Sequence, residues 1–188
     1  MDTTAQTSTQ FKSFQVYKRG LGSREPVVAI LTAHNDLRRN HRAMPLVWGD
    51  SLAAHARECA ASNDKIKGPP HLPHTAPGCV PPHGPGHWGQ NLAKGYGTAA
   101  RGVQGWYDEI KETPGGKGDA THFTGGIGHY TQVVWKGTRK VGCATVGASF
   151  CCNYLPAGNM TGILEPSAGP ELSSGYGSPM PWRRGLRI

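Results

Sequence analysis

The stretch GHYTQVVW, residues 128–135, decides the fold class of the second half of the chain. It follows a glycine-rich loop, 114–128, and its aromatic and β-branched residues at 130–135 are typical of a strand. Two further strand candidates, 141–146 and 150–154, flank Gly147-Ala148-Ser149, which has the composition of a hairpin turn. The sequence therefore predicts a sheet built largely from its later part.

Three helices are predicted upstream of this sheet. Pro26 opens the first, Asp50 or Ser51 caps the second, and the third runs over about 99–111. Each has an apolar stripe at helical spacing. The stripes are Val27, Ile30, Leu31 and His34; then Leu52, Ala56 and Cys59; then Val103, Trp106, Tyr107 and Ile110. Helices first and a hairpin last indicate an α+β class or a layered α-β-α domain.

Composition sets the outer limits on organisation. The 188 residues suit one domain, and 37% hydrophobic residues are enough for a core. We expect a flexible lead at 1–22, a folded domain at 23–165 and a Gly/Pro/Ser-rich basic tail at 166–188. No apolar run approaches ~20 residues, so we expect no transmembrane segment.

The net charge of +8 indicates either a basic soluble surface or an acidic partner. Arg183, Arg184 and Arg187 make the tail the natural place for an acidic surface partner. No Lys/Arg run is interleaved with aromatic residues, so we expect no nucleic-acid partner.

The cysteines and the N-terminus bear on localisation. Five cysteines without a CxxC motif fit up to two disulfides in an oxidising compartment, or five reduced cysteines. Cys143 and Cys152 lie on the two arms of the proposed hairpin, and Cys59 and Cys79 can pair; Cys151 would then point to the opposite face of its strand. The first residues, MDTTAQTSTQFKSF, have no apolar core of a secretory signal. The expectation is a secreted protein whose signal was removed, with an intracellular protein as the alternative.

Candidate chemistry is carried by scattered His and Glu residues. The chain has no GxSxG, no HExxH and no phosphate loop. His129 lies where the glycine-rich loop enters the predicted strand, a junction that exposes a side chain. Glu109 lies near the end of the third helix beside its apolar stripe. His83 lies in a proline-rich loop, 67–89, that also holds His71, His74 and His87.

Five motifs, in order, give the chain its resemblance to a known family. They are AHNDLR at 33–38, PLVW at 45–48, GQNLA at 89–93, GHYTQVVW at 128–135, and GCA at 142–144 with CNYLPAGN at 152–159. This series resembles the CAP superfamily of cysteine-rich secretory, antigen 5 and pathogenesis-related 1 proteins, over about residues 27–164. The resemblance implies a three-layer α-β-α sandwich with an open cleft holding two His and two Glu.

The resemblance assigns catalytic roles to Glu109, His129 and His83, the last by its spacing of seven residues from Gln90, with His74 and His87 as competitors. The fourth position departs from the family: Gln90 stands where GENLA has glutamate. Glutamine has a similar shape but no charge, so it cannot act as a general base. We expect Gln90, His87, Trp88 and Tyr130 to contact a ligand.

Zn²⁺ is the cofactor that His83 and His129 would bind, and no organic cofactor is expected. Two His are fewer than the three protein ligands usual at a catalytic zinc, so water or a ligand would complete the shell.

Three functions remain open. The first is binding of a lipid, sterol or other small hydrophobic ligand in a secreted defence, virulence or signalling role. The second is an enzyme that uses His83, Glu109 and His129 for hydrolysis or for proton-transfer or cyclisation chemistry on a small metabolite. The third, a minor one, is an interaction module using the basic tail.

Overall fold

The computed structural model describes residues 25–67, 72–80, 88–118 and 126–159. Its helices are α1 (Glu25–Arg39), α2 (Asp50–Asp64), α3 (Ala99–Tyr107) and α4 (Gly128–Val134). Its strands are β1 (Val47–Trp48), β2 (Gly89–Lys94), β3 (Lys140–Val146) and β4 (Ser149–Leu155). Two 3₁₀ turns, Asp108–Glu112 and Pro114–Gly116, extend the chain beyond α3.

The four strands form one mixed sheet in the order β1-β3-β4-β2. The predicted hairpin is confirmed, because β3 and β4 pair antiparallel through Gly147 and Ala148. Strand β2 pairs antiparallel with β4, from Gly89 opposite Tyr154 to Lys94 opposite Ser149. Strand β1 runs parallel to β3. In the described chain, β1 and β2 are therefore the two edges.

Helices cover both faces of the sheet and make the predicted three-layer α-β-α arrangement. Alternate residues of β4 point to opposite faces, so Phe150, Cys152 and Tyr154 join a core with α1, α3 and α4. Cys151 faces the other way and packs with Ala56 and Ala60 of α2. Gly142 lets α2 approach this second face, since an added Cβ would lie 2.3 Å from the backbone nitrogen of Ala53.

Both expected disulfides are present. Cys59 pairs with Cys79, and Cys143 pairs with its cross-strand neighbour Cys152. Cys151 is a buried free thiol, and burial raises its pKa well above the usual value for a thiol.

The structure corrects the prediction at three elements. Residues 130–135 are not a strand, because 128–134 form helix α4, whose residues from Tyr130 to Val134 are all buried. Helix α3 ends at Tyr107, and Glu109 lies in the 3₁₀ turn that follows. Strand β2 was not predicted, and it brings Gln90 into the sheet. The lead 1–22 and the tail 166–188 lie outside the described residues.

Candidate functional site

The site is a cleft that runs along the edge strand β2. One part of the cleft, about 360 Å³, is polar and is lined by residues of several elements. An adjoining part, about 380 Å³, continues along the same strand and shares Glu109 and His129 with the first. Within the described residues the cleft therefore has two compartments that meet at this Glu–His pair.

Glu109 and His129 form the centre of the cleft. The Oε1 atom of Glu109 lies 2.5 Å from Nδ1 of His129. Its Oε2 atom accepts the backbone N–H of His129 at 2.9 Å and that of Tyr130 at 3.1 Å. These two N–H groups are orphan donors of the first turn of α4, so the Glu109 carboxylate caps this helix from a distance in sequence.

The contact with Glu109 fixes the tautomer of a neutral His129. A carboxylate only accepts hydrogen bonds, so the ring proton is assigned to Nδ1 and the lone pair to Nε2. The ring also stacks on Trp106, at 6.2 Å between centroids and 24° between planes. Nε2 is thus the atom with which a neutral His129 can bind a metal or accept a proton.

Gln90 has a polar partner on each side. Its Oε1 lies 3.0 Å from Nδ1 of His74, and its Nε2 donates to the carbonyl oxygen of Cys79 and to Oδ1 of Asn153. His74, which the sequence offered as a competitor of His83, therefore lies beside residue 90. The Cys59–Cys79 disulfide anchors this loop to α2, five residues after His74.

A buried polar chain supports His129 from behind. Nδ1 of His34 faces the carbonyl oxygen of Ile30, which only accepts, so Nε2 of the neutral ring is the acceptor for the hydroxyl of Tyr154 at 2.9 Å. Asn91 donates through Nδ2 to the Tyr154 oxygen and to the carbonyl oxygen of His129. Burial lowers the pKa of His34 to about 4, which keeps this ring neutral near pH 7.

The other predicted site residues divide into three groups. His83 and His87 lie outside the described residues. Trp88 packs its ring against His55 of α2, with centroids 4.8 Å apart, and is not among the residues that line the cleft. The Tyr130 side chain does not line the cleft, because it is fully buried and donates its hydroxyl to the carbonyl oxygen of Gly118.

Three residues of the polar compartment were not predicted from the sequence. Asn91, Gln132 and Asn159 line it with His74 and Gln90. Each lies inside a motif that carried the family resemblance. Had strand β2 been predicted, the alternation of its side chains would have placed Asn91 and Gln90 on opposite faces of the sheet.

The polar compartment offers a metal ion few ligands among the described residues. Within the four described ranges, no group of three or more His, Cys, Asp or Glu is placed to hold a metal ion. The imidazoles that line the polar compartment there are those of His74 and His129. A zinc ion bound by them would need further ligands.

Comparison with known proteins agrees with this architecture. Residues 31–154 match the cysteine-rich secretory protein (CAP) family, and the chain belongs to that family. It is 38% identical over 141 residues to pathogenesis-related protein 1A of Nicotiana tabacum, covering 70% of this chain and 76% of that protein. It is 34% identical over 150 residues to secreted protein RBT4 of Candida albicans, covering 74% of this chain and 37% of that protein.

Among solved structures, NaASP2 with Zn2+ superposes with a TM-score of 0.53 at 24% identity, covering 76% of this chain and 85% of that one. The chain spans less than half the length of the Candida albicans relatives it matches, from 37% to 47%. None of the described helices is long and apolar enough to cross a membrane.

Proposed function

We propose that this chain is a secreted binding protein of the pathogenesis-related 1 type, whose cleft takes a small lipid, sterol or similar amphiphile in a defence, virulence or signalling role. Two disulfides are consistent with an oxidising compartment. The family name and the name of the relative RBT4 both refer to secretion.

The observation that carries the proposal is that the polar groups of the cleft are hydrogen-bonded to one another and to the backbone. The Glu109 carboxylate accepts three N–H groups, two of them from the backbone of α4. Gln90, uncharged, donates to two acceptors and faces His74. These contacts hold the cleft in shape, and a preformed cleft favours binding.

The lining of the second compartment indicates the chemistry of the expected ligand. Its lining includes aliphatic and aromatic residues, among them Leu72, Leu92, Tyr96 and Trp106, and it ends at Glu109 and His129. An apolar body fits against Leu72, Leu92 and Tyr96, and a hydroxyl or carboxyl head fits the end at His129. The expected ligand is therefore amphiphilic.

The test is binding of a fluorescent sterol and of a fluorescent fatty acid to the full chain. Tyr96→Asp places a charge among the aliphatic and aromatic residues of the second compartment and should weaken binding about tenfold or more, the cost of desolvating it. Val28→Asp is the matched control, because Val28 lies on α1 and, like Tyr96, is 43% exposed. Equal affinity for both variants, or no binding by the wild type, would overturn the proposal.

A second candidate is an enzyme, and the Glu109–His129 contact favours it. A carboxylate that orients an imidazole is the usual support for a general base or a metal-binding histidine. Zinc held by His129 with His74 or His83 would supply a Lewis acid and lower the pKa of a bound water. Native mass spectrometry with and without zinc, followed by a metabolite hydrolysis screen, tests this candidate. Glu109→Gln should abolish catalysis and spare lipid binding.

A further inference from the structure

A second surface lies at the β1 edge of the sheet, opposite the edge that carries the cleft. The buried Arg38 holds its two segments together. Its guanidinium donates from Nε to the carbonyl oxygen of Met44 at 2.9 Å, and from Nη2 to that of Thr138 at 3.1 Å. It also donates from Nη1 to the carbonyl oxygens of Val133 and Trp135. Arg38 is 0% exposed, so this cation serves the fold by joining segments 42–47 and 136–140.

Strand pairing completes the junction. Val47 lies opposite Lys140 in the parallel β1–β3 pair, and its N–H donates to the carbonyl oxygen of Arg139 at 3.0 Å. Ala43, Leu46 and Thr138 point inward and are buried. We call the outer side of segments 42–47 and 136–140 the basic platform.

The outer side of the basic platform combines apolar and cationic side chains. Met44 is 63% exposed and Val47 is 56% exposed, the two highest values among the large apolar residues of the described chain. Arg42, Arg139 and Lys140 are exposed beside them. Neither segment contains Asp or Glu, and in the described residues no carboxylate lies within ion-pair distance of Arg139 or Lys140.

Acidic residues near the platform are few. Asp36 is paired with Arg39 at 2.8 Å on the exposed side of α1. Asp50 begins α2 three residues after Val47. The whole interval 126–159 contains no Asp or Glu, although it holds Lys136, Arg139 and Lys140. Arg139 and Lys140 therefore have no acidic residue in their own segment of the described chain, and their charge has the same sign as the net charge of the chain.

We propose that the basic platform docks the protein on an anionic phospholipid bilayer. The cations complement the lipid phosphates and carboxylates, and Met44 and Val47 enter the boundary between head groups and acyl chains. Exposed apolar side chains next to Lys and Arg in the same two segments suit a surface with an anionic zone and an apolar zone. A purely polyanionic polymer would match the cations and leave Met44 and Val47 in water. This inference is independent of the ligand in the cleft.

The test is flotation of the full chain with vesicles of equimolar phosphatidylcholine and phosphatidylserine, and with phosphatidylcholine alone. The wild type should bind the anionic vesicles, more weakly at high salt, and should not bind the neutral ones. Arg139→Ala with Lys140→Ala should lower the affinity about 25-fold, since each cation near such a surface contributes about fivefold. Met44→Ser with Val47→Thr should lower it about fivefold or more.

The matched control is Arg57→Ala with Arg101→Ala, which removes the same charge from exposed positions on α2 and α3. It should bind much as the wild type does. Thermal melts confirm that each variant is folded. These surface changes should leave the melting temperature within a few degrees of the wild-type value.

Three outcomes would overturn the proposal. The first is binding to neutral vesicles as strong as to anionic ones. The second is equal loss in the platform and control variants, which would make the attraction a general effect of net charge or of the basic tail. The third is loss with the Arg139 and Lys140 variant but none with the Met44 and Val47 variant, which would indicate adsorption to negative charge without insertion into a bilayer.

Discussion

Glu109 is a helix cap and an imidazole partner at the same time. One oxygen accepts the N–H groups of His129 and Tyr130, and the other faces Nδ1 of His129. A residue that acted only as an acid–base group would not need to accept the backbone N–H groups of His129 and Tyr130. The chemistry of the cleft and the stability of α4 are therefore linked through one side chain.

Glu109→Gln tests that link. The amide oxygen can still accept the backbone N–H groups, but the amide nitrogen then faces Nδ1 of His129 as a donor. We expect the ring proton to move from Nδ1 to Nε2, with a loss of about 1–3 kcal/mol in the free energy of unfolding. Long-range ¹H–¹⁵N spectra of the imidazole report the tautomer, and urea denaturation reports the stability.

Asp108→Asn is the control for the Glu109 experiment, because it neutralises the adjacent carboxylate, which contacts Gln104 and Lys111 on the exposed side. It should leave the His129 tautomer unchanged. A ring proton that stays on Nδ1 in Glu109→Gln would contradict the assigned role of the carboxylate.

At the scale of elements, local pattern predicted helices α1 and α2 but not α4. Residues 130–134 are all buried, so they show no helical period, and their β-branched composition favours a strand. The helix forms because distant groups satisfy its ends: Glu109 at the first turn, and Arg38 at the carbonyl oxygens of Val133 and Trp135. No local pattern contains such contacts.

Strand β2 escaped prediction for a related reason. Its sequence, GQNLAK, contains no β-branched residue, and its pairing with β4 over six residues makes it a strand. Its outer edge is covered in part by the indole of Trp106, which donates to the carbonyl oxygen of Leu92 at 3.0 Å. Both contacts join parts of the chain far apart in sequence.

The loop at 72–80 depends on the Cys59–Cys79 disulfide. Replacing both cysteines by alanine should cost about 3 kcal/mol in the free energy of unfolding, the chain-entropy value for a loop of this size. It should also speed hydrogen exchange at 72–80 and loosen His74 from Gln90. Urea denaturation and hydrogen-exchange mass spectrometry check the two effects.

Cys143→Ala with Cys152→Ala is the matched control for that loop. This disulfide bridges strands that already pair, so its loss should reduce stability without speeding exchange at 72–80. Equal exchange at 72–80 in both double variants would show that other contacts hold the loop.

For the molecule as a whole, the sequence predicted the layers, both disulfides and the cleft residues Glu109, Gln90 and His129. It gave His74 as one of three histidines that could lie near Gln90. The disulfide at Cys79 holds the His74 part of the proline-rich loop next to strand β2, a contact that spacing along the chain does not contain. Covalent and long-range contacts decide such placements.

One buried residue should control how the stability of the whole molecule changes in acid. Burial lowers the pKa of His34 from 6.5 to about 4, opposed by its bond to Ile30 and reinforced by the charge of Arg38. Between these pH values the unfolded chain binds a proton that the folded chain does not. Stability is therefore greatest above pH 6.5 and falls as the pH decreases towards 4, by about 3 kcal/mol.

Urea denaturation across this pH range checks the expectation, and His34→Gln identifies the residue. Glutamine can keep an acceptor near the Tyr154 hydroxyl but does not titrate, so the variant should lose most of the slope between pH 6.5 and 4. His55→Gln, on the partly exposed side of α2, controls for removal of an imidazole as such. If the slope of stability against pH persists in His34→Gln, other groups cause the acid sensitivity. The hydrogen-bonded series from His34 through Tyr154 and Asn91 to the His129 carbonyl would then have no part in it.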